Sequence, residues 1–303
     1  MSRLGLGAFV AAILLIVPGG ALAGEVLIPK NSPPYPNNPT VFRAFNGETN
    51  DLTVTGGLGF TFFDSLAMLT AGPGCTVLPN GSASCEPSRI VEVHLKDEDD
   101  TARVTMNSGT ARVWAGSGDD TVTADSFCCA TFVYGQGGDD DVTAHGEGGQ
   151  VADGGSGDDI VHAGGFAGDG TGLGGSGDDI VYFASGFGGF ATLDGGNGDD
   201  TIVTQPSGGA ASGGDGDDII AIHGPVPGPL GGGGFTVSGG DGADTIIGDV
   251  KSDTIDGGDG RDYIDVLDGG ADTVTCGPGT DVVRYDATDT IAADCEILLA
   301  PTP

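Results

Sequence analysis

The chain has 303 residues, of which 60 are glycine, and its 44 acidic side chains against 10 basic ones give a formal charge of −34. This much glycine argues against an ordinary globular domain, and the lack of a strict three-residue period excludes collagen. With 38% hydrophobic residues the chain is too apolar for simple disorder. So few basic residues also exclude a nucleic-acid partner, because phosphate binding needs a Lys/Arg surface.

Residues 1–23 have the features of a secretory signal. Arg3 supplies the positive charge, residues 6–17 form a short apolar run, and a small-x-small cleavage sequence ends at Ala23. The run is short for a membrane span, and no later segment resembles one. We therefore expect a secreted, extracellular protein whose mature chain has no membrane span.

The next two segments predict extended and β-rich structure. Residues 24–45 contain five prolines and predict an extended leader. Residues 46–114 contain short β-forming runs, such as 52–55 and 89–93, and predict β-rich N-terminal coils with degenerate repeats. No stretch has a sustained helical period, so we expect an all-β fold.

Six cysteines in an exported chain indicate disulfides. Two local pairings are preferred, Cys75 with Cys85 and Cys276 with Cys295. The adjacent pair Cys128-Cys129 would point to opposite faces of a strand. A bond between these two neighbours, a reduced pair and bonds to other cysteines all remain open.

From residue 115 onward a nine-residue unit repeats. Six close copies begin at Gly154, Gly174, Gly195, Gly213, Gly239 and Gly257, and five looser ones begin at Ala115, Gly135, Gly248, Leu267 and Cys276. In all eleven units the sixth residue is Asp and the eighth is Val or Ile. Glycine could recur by chance in so Gly-rich a region, but an Asp and a β-branched residue fixed in phase could not.

These units match the nonapeptide G-G-x-G-x-D-x-U-x, where U is an apolar residue, and the chain resembles the RTX, or haemolysin-type calcium-binding repeat, family over about residues 115–284. The stretch 272–296 is also similar to the closing segment of secreted proteins that carry such repeats. The resemblance implies a parallel β-roll, or β-solenoid, over residues 115–300. It also implies that the loops of successive coils bind several Ca²⁺ ions through backbone carbonyls and the sixth-position Asp.

The residue types agree with that implication. Glycine allows the backbone to turn through positive φ, Asp provides the oxygen ligands that Ca²⁺ prefers, and Val or Ile at the eighth position fills a narrow core. The expected metal-binding residues are the loop positions of the units. They are Asp119, Asp120, Asp139, Asp140, Gly154, Gly155, Gly157, Asp158, Asp159, Gly174, Gly175, Gly177, Asp178, Asp179, Gly195, Gly196, Asn197, Gly198, Asp199, Asp200, Gly213, Gly214, Asp215, Gly216, Asp217, Asp218, Gly239, Gly240, Asp241, Asp244, Asp253, Gly257, Gly258, Asp259, Gly260, Asp262, Asp272 and Asp281.

The spacing of the sixth-position Asp predicts where calcium lies on the coils. From Asp120 to Asp244 these residues are 18 to 26 apart, and beyond Asp244 they are 9 or 10 apart. Because a full coil contains two nonapeptides, we expect calcium along one edge at first and along both edges near the C-terminal end. The pattern extends backwards to Asp100, where Lys96 and Glu98 replace glycines, so a site there should be weak or absent.

The chain has no H-E-x-x-H, G-x-S-x-G or P-loop motif, and we expect no enzymatic activity. The sequence favours a structural or cell-surface protein whose folding is driven by Ca²⁺, with extracellular polysaccharide as a candidate partner. One alternative is a calcium-dependent adhesin that uses the irregular half-coils at 185–194 or 223–234. A less favoured one is a polysaccharide-modifying enzyme. Arg103, Arg112 and Trp114 could form a small carbohydrate-facing patch, although exposed strand arginines are the simpler interpretation.

Overall fold

The computed structural model describes residues 22–29, 39–57, 59–165, 168–185, 189–205, 208–223 and 233–301. Nearly all of the predicted signal lies outside these ranges, as do residues 30–38 of the Pro-rich segment. Residues 186–188 of the first irregular half-coil and residues 224–232 of the second also lie outside them.

The described residues form 29 strands and no helix. The strands are β1 (Leu22–Leu27), β2 (Thr40–Arg43), β3 (Asp51–Gly56), β4 (Phe60–Asp64), β5 (Met68–Ala71), β6 (Cys75–Val77), β7 (Ala83–Cys85), β8 (Ile90–Asp97), β9 (Thr101–Met106), β10 (Thr110–Ser117), β11 (Thr121–Ser126), β12 (Thr131–Gly137), β13 (Asp141–Gly146), β14 (Gln150–Ser156), β15 (Ile160–Gly165), β16 (Gly170–Ser176), β17 (Ile180–Ser185), β18 (Phe190–Asn197), β19 (Thr201–Thr204), β20 (Gly208–Asp215), β21 (Ile219–Ile222), β22 (Phe235–Gly242), β23 (Thr245–Ile247), β24 (Thr254–Gly260), β25 (Tyr263–Asp265), β26 (Thr273–Thr275), β27 (Val282–Arg284), β28 (Thr290–Ile291) and β29 (Ile297–Leu299). Within the part of the chain that is described there is accordingly no helix long and apolar enough to cross a membrane.

From β8 onward the chain winds as a parallel solenoid, in which each coil gives one strand to each of two sheets. The first sheet has 14 strands and contains the even-numbered strands from β8 to β28. The second sheet has 15 strands and contains the odd-numbered strands from β9 to β29. Neighbouring coils pair in parallel with equivalent repeat positions opposite each other, as for Val142 and Val161. The predicted all-β parallel β-solenoid is confirmed.

The core is a narrow column between the two sheets. The eighth-position Val or Ile of all eleven units is at most 1% exposed. Burying each of these side chains contributes roughly 1.5–3 kcal/mol. In the middle of the solenoid the first sheet provides small residues, such as Ala152 and Ala211, which leave little space between the sheets. The apolar repeat position therefore forms the core that one unit could not build alone.

The N-terminal part closes one end of the solenoid. Strands β3, β4, β7 and β6 pair antiparallel, so β4, β7 and β6 form an antiparallel extension of the second sheet, whereas residues 46–114 were expected to form coils. Strand β5 pairs in parallel with β1 in the first sheet. Phe60 and Phe62 of this extension are buried. Both described ends of the predicted leader are strands, and their residues Val26 and Phe42 are completely buried.

The six cysteines form three disulfides. Both preferred pairings are present, Cys75 with Cys85 and Cys276 with Cys295. The bond that the sequence left open joins the neighbours Cys128-Cys129. They lie in the bend between β11 and β12 and not on a strand, so the opposite orientation expected of strand neighbours does not apply.

The three residues considered as one carbohydrate-facing patch lie on different sheets. Arg103 is on β9 in the second sheet, whereas Arg112 and Trp114 are on β10 in the first. The Trp114 ring stacks between His94 and Tyr134, with ring centroids 4.5 and 5.7 Å away. Because Arg103 is on the other sheet and both faces of the indole are covered, the three residues form no common patch, and Arg103 and Arg112 are exposed strand arginines.

Candidate calcium-binding edges

The loops of the coils form two edges. In each coil, one loop leads from the first sheet to the second, and we call this series the first edge. The loops that return from the second sheet to the first form the second edge. Asp120, Asp140 and Asp159 are in first-edge loops, whereas Asp253 and Asp272 are in second-edge loops.

A continuous ladder of carboxylates follows the first edge. Each Asp accepts, through Oδ1, a hydrogen bond from the backbone N–H of the equivalent residue in the preceding coil. The Asp120 N–H donates to Asp140 and the Asp140 N–H to Asp159, both at 2.8 Å. The acceptors along the ladder are Asp100, Asp120, Asp140, Asp159, Asp179, Asp200, Asp218, Asp244, Asp262, Asp281 and Glu296. One carboxylate oxygen of each coil is thereby used to connect the coils.

The other carboxylate oxygen, Oδ2, is buried without a hydrogen-bond partner in every Asp of this ladder. A buried oxygen without a partner is costly, and more so when it carries charge. Ca²⁺ takes six to eight oxygen ligands from carboxylates and carbonyls. The unpartnered oxygens therefore fit the cation that the repeats imply.

The first residue of each loop shows where these oxygens converge. At Gly257, an added Cβ would lie 2.6 Å from Asp262 Oδ2 and 2.7 Å from the carbonyl oxygen of Cys276 in the next coil. At Gly174, it would overlap both Asp179 Oδ2 and the carbonyl oxygen of Gly195. A carboxylate and a carbonyl from successive coils thus face the same small space, which a side chain at the first position would fill.

Backbone carbonyls are needed to complete such a site. Among the described residues, no three His, Cys, Asp or Glu side chains come close enough together to hold a metal ion by themselves. A shell made only of side chains is therefore not available in this part of the chain. The convergence of one Asp with a carbonyl from the next coil agrees with the mixed ligand set that the resemblance implies.

The second and fourth loop residues set the backbone shape. Gly155 and Gly157 have φ of 114° and 126°, and a Cβ at either would collide with a carbonyl of the preceding coil. The loop before Asp100 keeps this shape without glycine, because Lys96 and Glu98 have φ of 90° and 73°. Glycine at these positions allows the coils to stack closely without strain.

The fifth-position aspartates form a second, exposed ladder on the same edge. Asp119 accepts the Asp139 N–H through Oδ1, and Asp139 accepts that of Asp158, both at 2.9 Å. The series continues through Asp178, Asp199 and Asp217. The third-position side chains Asn197, Asp215, Asp241 and Asp259 are also exposed. Of the expected metal-binding side chains, the sixth-position Asp alone face the interior of the loop.

A carboxylate ladder also occurs on the second edge, near the C-terminal end. Asp253 accepts the Phe235 N–H at 2.7 Å, and Asp272 accepts the Asp253 N–H at the same distance. Asp289 extends this ladder by accepting the Asp272 N–H at 3.1 Å. The close spacing of Asp after residue 244 had predicted this placement.

Sequence reasoning missed two aspartates of the second edge. Asp249 and Asp268 are the second residues of their units, where the repeat has glycine, and Oδ2 of each is buried without a hydrogen-bond partner. Asp249 is only 7% exposed. The signal was present as an Asp at the second position of the two units that begin at Gly248 and Leu267.

Burial raises the pKa of most carboxyls of the first-edge ladder, and of Asp268 and Asp272 on the second edge, well above the ordinary value. The largest cause is loss of solvation, which the hydrogen bond from the neighbouring coil partly offsets. The pKa is raised to about 7 for Asp120, Asp159, Asp244 and Asp272. It is raised to about 6 for Asp100, Asp140, Asp179, Asp200, Asp218 and Asp268. Such groups must either take up a proton or be neutralised by a cation.

The family model described as the RTX calcium-binding nonapeptide repeat (4 copies) matches residues 107–126 and 238–274. No curated protein and no solved structure matches the chain. The first matched stretch contains the first-edge loop that ends at Asp120. The second contains loops of both edges, ending at Asp244, Asp253, Asp262 and Asp272.

Proposed function

We propose that the chain is an RTX-repeat protein that acts outside the cell as a β-solenoid whose folding depends on bound calcium. The observation that carries the proposal is the row of buried, unpartnered Oδ2 atoms along the first edge. Three disulfides support an extracellular location, because such bonds persist in oxidising compartments.

Calcium binding and folding are coupled in this proposal. The sixth-position Asp and the carbonyls of the next coil come together only when the coils stack, so Ca²⁺ binds the folded state and not the unfolded chain. Extracellular calcium modules have a Kd of roughly 10⁻⁴–10⁻³ M, so the calcium concentration outside the cell would be enough to fold the chain. The role is structural or at the cell surface, with no catalytic step.

Removal of calcium tests the proposal. The mature chain in 5–10 mM CaCl₂ (about tenfold above that Kd range) should have the circular dichroism of β-sheet, and excess EDTA should abolish it. Adding Ca²⁺ again should restore the spectrum, whereas the same concentration of Na⁺ as chloride should not. A spectrum and an unfolding midpoint that are unchanged by EDTA would contradict the proposal.

A further inference from the structure

A groove lies on the outer face of the second sheet and reaches the second-edge loops at Phe127 and Glu147, away from the carboxylate ladders. It has a volume of about 780 Å³ and crosses five successive coils, from β9 to β17. Gly165 and Ala184 contribute small residues to its lining. Phe127 also lines it, although 62% of this side chain is exposed. An aromatic side chain this exposed, beside a concave surface, is typical of a binding site.

A connected series of planar polar side chains runs along the groove, one from each coil. Asp125 links Arg103 and His145, since its two oxygens lie 3.3 Å from Arg103 Nη2 and 3.3 Å from His145 Nδ1. The rings of His145 and His162 are 4.8 Å apart, and those of His162 and Tyr182 are 4.7 Å apart. These contacts hold each side chain in a defined orientation.

We propose that this groove binds a neutral oligosaccharide. Sugars are recognised by planar groups that donate and accept hydrogen bonds to hydroxyls, together with an aromatic ring that packs on their C–H faces. The groove presents both. Its polar side chains recur every coil, at about 4.8 Å, which is close to the repeat of an extended sugar chain, so the five coils accommodate about four sugar residues.

The charges of the groove exclude an acidic polysaccharide. Among the described residues that line it, Arg103 is the one Lys or Arg side chain, and Asp125 already neutralises it. Burial lowers the pKa of His162 to about 4, so this ring is uncharged at neutral pH. Glu147 adds a negative charge, and the whole chain carries −34. A uronate would therefore meet repulsion without a free cation to bind it.

The test is a binding measurement on the folded, calcium-saturated chain. The probes are neutral tetra- and hexasaccharides of glucose, xylose, mannose and N-acetylglucosamine, with polygalacturonate as the acidic comparison. Titration calorimetry should detect binding of at least one neutral probe and none of polygalacturonate. Phe127→Ala should weaken that binding at least tenfold, and Tyr182→Phe should weaken it less.

Phe190→Ala is the matched control, because Phe190 is 59% exposed but lies on β18 in the first sheet. It should leave sugar binding unchanged, and all three variants should keep the calcium-dependent circular dichroism. The proposal is overturned if no neutral probe binds, if polygalacturonate binds instead, or if the two Phe→Ala variants lose binding equally. These outcomes are independent of the EDTA experiment, so either proposal can fail alone.

Discussion

The first-edge loops that end at Asp100 and at Asp179 have the same backbone architecture and differ in the residue at their first position. In both, the Asp accepts a backbone N–H of the preceding coil through Oδ1, and Oδ2 is buried without a partner. The first residue of one loop is Leu95, which is completely buried, whereas that of the other is Gly174. In the Gly174 loop, the space between the Asp179 carboxylate and the Gly195 carbonyl is open. In the other loop, the Leu95 side chain occupies the equivalent first position.

The comparison separates the shape of a coil from its capacity to hold a cation. The shape requires positive φ at the second and fourth positions, and Lys96 and Glu98 meet this requirement at some cost. A first residue without a Cβ also leaves space for a cation between the carboxylate and the carbonyl of the next coil. The loop that begins at Ala115 is intermediate, because alanine places a single methyl group there. We expect calcium affinity to increase from the Leu95 loop through the Ala115 loop to the glycine loops.

The largest expected effect involves the whole ladder and is a reversal of the pH dependence by calcium. Burial raises the pKa of Asp159 and Asp244 to about 7, from 3.8 in an unfolded chain. The folded state therefore holds protons more tightly than the unfolded state, and this stabilisation, about 1.4 kcal/mol per pKa unit, is lost as the pH rises from about 4 to about 7. In EDTA, any folded structure should unfold at lower urea concentration at pH 8 than at pH 5.

With Ca²⁺ bound, the protein should unfold at higher urea concentration at pH 8 than at pH 5, because protons compete with the cation for the same carboxylates. Urea unfolding followed by circular dichroism at pH 5, 6, 7 and 8, with and without Ca²⁺, measures both series. If the calcium-free protein becomes more stable as the pH rises, the first-edge carboxylates are not buried without a compensating charge.

The next largest effect is expected from removing the charge of Asp179, compared with removing that of Asp100. Asp179→Asn should remove calcium from one loop and reduce the free energy of unfolding by about 2.7 kcal/mol at a calcium concentration one hundred times Kd. Asp100→Asn, in the loop with Leu95, should leave the number of bound ions unchanged. Calorimetric titration gives the stoichiometry of both variants. Equal loss of bound calcium from the two would mean that the first residue does not decide the site.

A methyl group at the first position should have a somewhat smaller effect. In Gly174→Ala, the new Cβ would overlap Asp179 Oδ2 and the Gly195 carbonyl, and we expect a loss of roughly 1–3 kcal/mol. Calcium affinity should also fall in a titration. Gly149→Ala is the matched control, because a Cβ there meets nothing within 4 Å. If both variants behave alike, the space at Gly174 has no role in calcium binding.

The smallest effect concerns the backbone of the Leu95 loop. Lys96→Gly should relieve the strain of φ 90° and increase the free energy of unfolding by less than about 1 kcal/mol, since glycine also gains entropy in the unfolded chain. Gln136→Gly, at φ 81°, should behave similarly. Thermal unfolding in Ca²⁺ measures both. A clear destabilisation by Lys96→Gly would show that the hydrogen bond from Lys96 Nζ to Asn46 Oδ1 matters more than the strain.

The repeats allowed the solenoid to be predicted in detail, because each nonapeptide contains its own turn, ligand and core residue. The eighth-position column followed from the spacing of the units. The placement of Asp253 and Asp272 on a second edge followed from that spacing together with the two-nonapeptide coil that the resemblance implies. Residues that do not belong to the nine-residue repeat could not be placed in the same way. The antiparallel extension of β4, β7 and β6 and the bend at Cys128-Cys129 have no repeat to fix their register.

Read alone, the sequence establishes the period, the acidic and apolar positions within it, and therefore a stack of coils with calcium-binding loops. These features are local, since nine consecutive residues carry them. The folded molecule decides what comes from different coils: which carbonyl faces Asp179, whether a Cβ lies between them, and how Arg103, His162 and Tyr182 line one groove. Asp179 and the Gly195 carbonyl are 16 residues apart in the chain, and the three groove side chains are at least 20 apart. Only the stacking of successive strands, about 4.8 Å apart, makes these groups neighbours.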